Sequence, residues 1–139
     1  MDLPRLDGVL ETSLYVEDVD RSVSFYRDLF AFEELFHGTR GAGLSVADRH
    51  VLLLFRKGGS VEPIVTERGT IPPHDGTGDL HLAFAVPKDS LPGWEARLAE
   101  QGIEVEARYN WELGGQSVYF RDPDGHVIEL VTPGCWTIY

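Results

Sequence analysis

The chain reads as an α+β protein built from two βαβββ modules, and three observations point there. Strand-like and helix-like segments recur in the same order in both halves. The run HVLLL at 50–54 returns as HVIEL at 126–130. Nearly all the strand-like runs are short and bounded by Gly, Pro, Asn or Asp turn signals, as in sheets of compact α+β folds.

The elements follow in order. Residues 9–16, VLETSLYV, alternate as a strand, with Val9, Glu11, Ser13 and Tyr15 on one face and Leu10, Thr12, Leu14 and Val16 on the packed one. Asp18 or Asp20 caps a helix in which Val23, Tyr26 and Phe30 recur at helical spacing, and the helix ends near Phe30. Strands are expected at 33–36, 42–46 and 51–55, separated by HGTRG and ADR turns. Module one therefore covers about 7–57, and the Gly-, Pro- and Thr-rich stretch 58–78 reads as a linker or lid. Module two, about 79–134, opens with the strand DLHLAFAV. Ser90 is expected to cap a helix bearing Leu91, Trp94 and Leu98 on one face, with Gly102 as its stop. Strands at 103–108, 117–120 and 126–131 complete it, the last two joined by an Asp-Pro-Asp-Gly turn. At 139 residues the two modules fit one domain, neither being expected to stand alone.

Composition removes several classes of function. Twelve Lys and Arg face 23 Asp and Glu, a net charge of −11, and so acidic a surface repels a phosphate backbone; nucleic acid is not an expected partner. Cys135 is the single cysteine, which excludes an internal disulfide. The start, MDLPRLDGVLE, lacks the basic-then-apolar pattern of a signal peptide, and the longest apolar run, 51–55, falls far short of the ~20 residues of a membrane helix. A cytoplasmic protein without a membrane partner is the expectation.

Aligning the halves sets Glu11 on His81 at an offset of 70, and 50–54 on 126–130 at an offset of 76. The six residues of difference are expected within 108–115. Three ionisable residues then break otherwise apolar or small-residue stretches: Glu11 and His81 at equivalent first-strand positions, and Glu129 between Val127 and Val131 where module one has Leu53. A carboxylate is costly to bury without a positive partner. If the two sheets curve toward each other, two carboxylates and an imidazole form a neutral shell for a divalent cation, with Ser13, Ala83 and Ala85 leaving room for a ligand. Taken singly, Glu11 also suits a solvent-facing edge, His81 a hydrogen-bonded core histidine, and Glu129 a partner for Arg121 or Arg108. His74 and Asp75 lie in the loop, within possible reach of a substrate. His50 and His126 flank equivalent strands, which favours a shared structural job. Trp111 suits a pocket wall or a buried anchor, and Cys135 has no base arranged nearby in sequence.

The runs LETSLYVEDVDRSVSFYRDLF and SVYFRDPDGHVIELVTPG resemble the vicinal oxygen chelate superfamily, which includes glyoxalase I, fosfomycin-resistance thiol transferases, extradiol dioxygenases and bleomycin-resistance proteins. The resemblance spans nearly the whole chain. It implies paired βαβββ modules forming an open, incomplete barrel around a central cleft, with one divalent ion (Mn, Fe, Ni, Co or Zn) held by Glu11, His81 and Glu129. Glyoxalase I takes a further carboxylate where this chain has Leu53, and the fosfomycin enzymes use His where it has Glu11. Tyr119 to Glu129 matches the extradiol signature, whose upstream His is absent from the Asn-Trp-Glu at 110–112. The resemblance further implies a small substrate that chelates the metal through adjacent oxygens, with Glu129 doubling as base. Ser13, Tyr15, Leu53, Phe55, Trp111 and Tyr119 are the expected pocket, and a homodimer the expected assembly. A metal-independent binder of the bleomycin-resistance type is the alternative.

Overall fold

The computed structural model describes residues 2–139, which divide into two compact units, one ending at Gly76 and the other running from Thr77 to Tyr139. In the first, β1 (Glu11–Val16) leads into α1 (Val19–Phe30), followed by β2 (Glu33–His37), β3 (Gly41–Val46) and β4 (His50–Arg56). The sheet order is β1-β4-β3-β2, with β1 and β4 parallel and the other pairs antiparallel. Helix α1 lies against β3 and β4. Its buried Val19, Val23, Tyr26 and Leu29 share a core with Leu14, Val16, Leu44, Leu52 and Leu54, all 5% exposed or less. At about 1.5–3 kcal/mol for each fully buried large apolar side chain, this face dominates the unit's stability.

Local chemistry sets the ends of α1. The Asp18 carboxylate accepts from the Arg21 amide at 3.0 Å, so Asp18 and not Asp20 is the cap. Ala31, left-handed at φ 59°, closes the helix by donating its amide to the Arg27 carbonyl at 2.8 Å.

The second unit repeats the plan: β7 (His81–Ala85), α2 (Leu91–Glu100), β8 (Ala107–Asn110), β9 (Gln116–Arg121) and β10 (Val127–Val131), in the order β7-β10-β9-β8. Register makes the repeat quantitative. Glu11 pairs with Val51 in one unit and His81 with Val127 in the other, which reproduces the offsets of 70 and 76. Neither four-stranded sheet closes on itself. The outer strands are offset by 71 (Phe36 opposite Gly43, Ala107 opposite Tyr119), so five of the six extra residues lie in the β8–β9 hairpin beyond that pair, two of them in the connection 111–115, which has five residues where the first unit has three.

Three expectations change. Segment 58–78 is not wholly irregular: β5 (Ile64–Thr66) and β6 (Gly69–Ile71) form a short hairpin within it. The strand expected at 103–108 begins only at Ala107, because the Ile103 amide is used to close α2 by donating to the Leu98 carbonyl at 2.9 Å. Ser90 makes no cap; it sits in helical backbone and its hydroxyl donates to the Pro87 carbonyl at 2.7 Å. The two histidines that open the last strands do share a job, although their partner is the backbone leading into the first strand and not a turn. His50 Nδ1 bonds the Val9 carbonyl, and His126 Nδ1 accepts from the Leu80 amide, both at 2.9 Å.

The two helix starts can be compared directly. Asp18→Ala should cost about 1 kcal/mol of stability, and Ser90→Ala distinctly less, read as shifts of the urea midpoint at unchanged m-value. Equal losses would contradict the assignment of Asp18 as the only side-chain cap of the two.

Candidate metal centre

In the second unit the sheet face turned away from Ile128, Leu130, Val118 and Phe120 carries His81, Ala83 and Ala85 on β7, Val127, Glu129 and Val131 on β10, and Ser117 and Tyr119 on β9. The alternation of each strand puts these side chains together. Glu129 is the anomaly among them, being 5% exposed. A carboxylate so buried must have each oxygen satisfied.

The partners are present. Oε2 accepts from the Ser117 hydroxyl at 2.5 Å, and Ser117 Oγ in turn accepts from the Trp111 indole N–H at 2.7 Å. Oε1 lies 3.1 Å from His81 Nε2. Neither arginine considered from the sequence reaches Glu129: Arg121 binds Glu106 and the Gly125 carbonyl, and Arg108 binds Glu95.

The histidine's other nitrogen decides what stands at this contact. His81 Nδ1 is 2.9 Å from the Val127 carbonyl oxygen, which can only accept, so Nδ1 carries a hydrogen. A neutral His81 therefore turns the Nε2 lone pair toward Glu129 Oε1. Two acceptors at that distance repel unless a proton or a metal ion lies between or beside them. A ring whose far N–H is held by a backbone carbonyl, with its near nitrogen beside an anchored carboxylate, is the usual orientation of a metal-binding histidine. The donor set thus fits a divalent ion.

The third expected ligand stands differently. Glu11 opens β1 at the register position of His81, but on the first unit, where it is exposed. Among the described residues no three His, Cys, Asp or Glu side chains are gathered closely enough to form a metal cluster. Leu53 occupies the position of Glu129 in the first unit, between Ser13 and Gly43. The other expected pocket residues of that unit, Tyr15 and Phe55, meet His74: its Nδ1 is 2.8 Å from the Tyr15 hydroxyl, and its ring is edge-on to Phe55 at 4.5 Å. Asp75 accepts from the Gly58 amide and Gly76 is pressed against the Tyr15 ring, where a Cβ would come within 2.4 Å. The 58–76 segment is thereby fastened to the face bearing Tyr15.

Tyr119 is half-buried with its ring 6.4 Å from that of His81. Burial, and then the Glu129 charge, raise its phenol above the ordinary range, while Ser117 pulls the other way. Cys135, for which the sequence offered no setting, belongs to the same neighbourhood: burial and then the charge of Glu129 hold its thiol up. What brings it there is a backbone crossing. Gly115 donates its amide to the Gly134 carbonyl at 3.1 Å, and a Cβ on Gly134, at φ 104°, would fall 2.4 Å from the Gly115 nitrogen. Two glycines far apart in the chain were the only sequence sign.

Residues 8–130 match the family model described as Glyoxalase/Bleomycin resistance protein/Dioxygenase superfamily. The chain is 30% identical over 133 residues to the metallothiol transferase FosB of Bacillus licheniformis, covering 95% of this chain and 79% of that protein. It is 29% identical to the glutathione transferase FosA of Serratia marcescens, covering 90% and 80%. Among solved structures, lactoylglutathione lyase from Agrobacterium tumefaciens superposes with a TM-score of 0.87 at 29% identity, covering 96% of this chain and 99% of that one.

The neutral Tyr119 phenol has a measurable consequence. The folded state keeps its proton where the unfolded chain, titrating near 10.0, has lost it, so stability should fall as pH rises past about 10. In metal-stripped protein, Glu129→Gln should move the Tyr119 ionisation down toward 10.0 in an ultraviolet titration, because burial remains but the charge is gone. An unmoved titration would show that Glu129 exerts no field on the phenol.

Proposed function

Because the chain belongs to the glyoxalase/bleomycin resistance protein/dioxygenase superfamily, we propose that it is a divalent-metal-dependent enzyme acting on a small substrate that presents two adjacent oxygens. The observation that carries this reading is the face-to-face placement of His81 Nε2 and Glu129 Oε1, with the far atom of each group already committed to another partner. His81 and Glu129 are the proposed ligands, and Glu11, at the equivalent register position, the proposed third. When bound, the ion, one of Mn, Fe, Ni, Co or Zn, supplies Lewis-acid charge to the substrate oxygens. The chain's own residues do the rest: His81 and Glu129 are pre-oriented, and Ala83 and Ala85 keep the strand beside them low.

Ser13, Tyr15, Leu53, Phe55, Trp111 and Tyr119 are the proposed substrate contacts, mostly apolar side chains with few polar tips. Lyase, isomerase and dioxygenase chemistry all start from such a chelate, and the thiol-transferase names of the relatives add transfer of a thiol to the same list. We propose a cytoplasmic homodimer; no helix among the described residues is long and apolar enough to cross a membrane. A second reading draws on the same 3.1 Å contact between His81 Nε2 and Glu129 Oε1: taken as an ion pair it closes the face without a metal, which suits a metal-independent binder of the bleomycin-resistance type.

Thermal melts separate the two. Stripped protein reloaded with each divalent ion at a hundredfold excess over its dissociation constant should gain about 2.7 kcal/mol. His81→Ala and Glu129→Ala should abolish the gain, and Glu11→Ala should weaken it. No gain with any ion in the parent protein would leave the ion-pair reading standing and remove the metal-dependent one.

A further inference from the structure

Building on the metal reading, we propose that Ser117 is a positioning residue, and that Trp111 and Ser117 together hold Glu129 as a fixed, single-oxygen ligand. The relay has one possible direction. An indole N–H only donates, so Ser117 Oγ accepts from Trp111, and the one hydroxyl hydrogen then goes to Glu129 Oε2. With Glu129 a carboxylate, no member of this chain of bonds can be reversed.

The backbone fixes both ends. Ser117 is 1% exposed on β9, opposite Val131, which places it diagonal to Glu129 on the same sheet face and within reach of a glutamate side chain. Trp111 heads the β8–β9 connection, where its amide donates to the Gly115 carbonyl at 2.8 Å and its carbonyl accepts from Gly114 at 3.0 Å. Its ring also packs against Tyr109, with centroids 4.6 Å apart. The donor that anchors Ser117 is therefore itself held by a turn and an aromatic neighbour.

Two consequences follow for the site. With Oε2 engaged by Ser117, Oε1 is the oxygen that stands 3.1 Å from His81 Nε2, so this oxygen and this nitrogen are the pair the unit presents to the ion. A buried carboxylate tied through one oxygen is held in place, so under this proposal Glu129 acts as a fixed ligand, in contrast to the base that the resemblance implies. The longer β8–β9 hairpin supplies Trp111, and the first unit, with Leu53 at the position of Glu129, has no carboxylate to hold.

The test measures divalent-metal dissociation constants by chelator competition for the parent, Ser117→Ala, Ser117→Thr and Trp111→Phe, together with indole N–H resonances. Three tryptophans give three signals, and Trp111→Phe identifies its own by loss. Ser117→Ala should weaken metal binding about 10- to 100-fold, Ser117→Thr should restore most of it by keeping the hydroxyl, and Trp111→Phe should weaken it less than Ser117→Ala. The Trp111 resonance should shift in Ser117→Ala even without metal. If the parent binds metal and Ser117→Ala and Trp111→Phe bind it with the parent constant, the positioning role is overturned while the metal reading stands. If the parent binds none, the metal reading fails and takes this proposal with it.

Discussion

Glu129 puts a carboxylate at 5% exposure on a strand whose neighbours in sequence are Ile128 and Leu130, both fully buried. Desolvating such a group costs several kcal/mol unless hydrogen bonds and a counter-charge replace the water. Much of what is particular to the second unit answers that cost. Ser117 is a serine at a position where a sheet core ordinarily takes an apolar residue, Trp111 turns its N–H inward, and His81 is oriented by the Val127 carbonyl. Removing the charge would leave each of these polar groups without its reason.

That local arrangement rests on a larger one. In each unit the first and last strands run parallel as neighbours, which requires the chain to cross by way of a helix and two further strands. The parallel pairing sets His81 against Val127 and one pleat from Glu129, and a slip of a single residue would turn Glu129 into the apolar layer. The hydrogen bonds from His50 and His126 to the backbone just ahead of β1 and β7 fasten the start of that pairing in both units. Register, and not proximity in sequence, is therefore what makes the His81–Glu129 contact.

The repeat and its offsets were legible because a strand motif and a register survive in the letters themselves: HVLLL and HVIEL, Glu11 and His81. The elements that differed did so where two local options compete. Ser90 is as good a cap residue as Asp18 on paper, yet its hydroxyl found the Pro87 carbonyl first; Ile103 has strand character, yet its amide closes α2. The partner of Glu129 could not be chosen from sequence either. Arg108 and Arg121 were the nearer cations along the chain, but Arg108 lies on the edge strand β8 and Arg121 at the end of β9, and they are satisfied by Glu95 and Glu106. Cys135 reaches the neighbourhood of Glu129 only through a glycine-on-glycine crossing, a steric relation no composition or periodicity records.

Sheets that do not close leave two edges each, and an open edge invites another chain to add a strand. The outer strands β2 and β8 meet this hazard in different ways. In β2 the register slips between Glu34 and Phe36, so its outward N–H and C=O groups do not form an even ladder, and Glu33 and Glu34 put charge beside the slip. Strand β8 is only four residues long and carries Arg108. Bulges, charge and brevity are the usual means by which natural sheets avoid edge-to-edge aggregation. Leu35 and Phe36 stand exposed on this edge, and a net charge of −11 repels like chains at long range; deleting the residue that makes the bulge would even out the ladder and open the edge to strand addition, while leaving the face that carries His81 and Glu129 untouched.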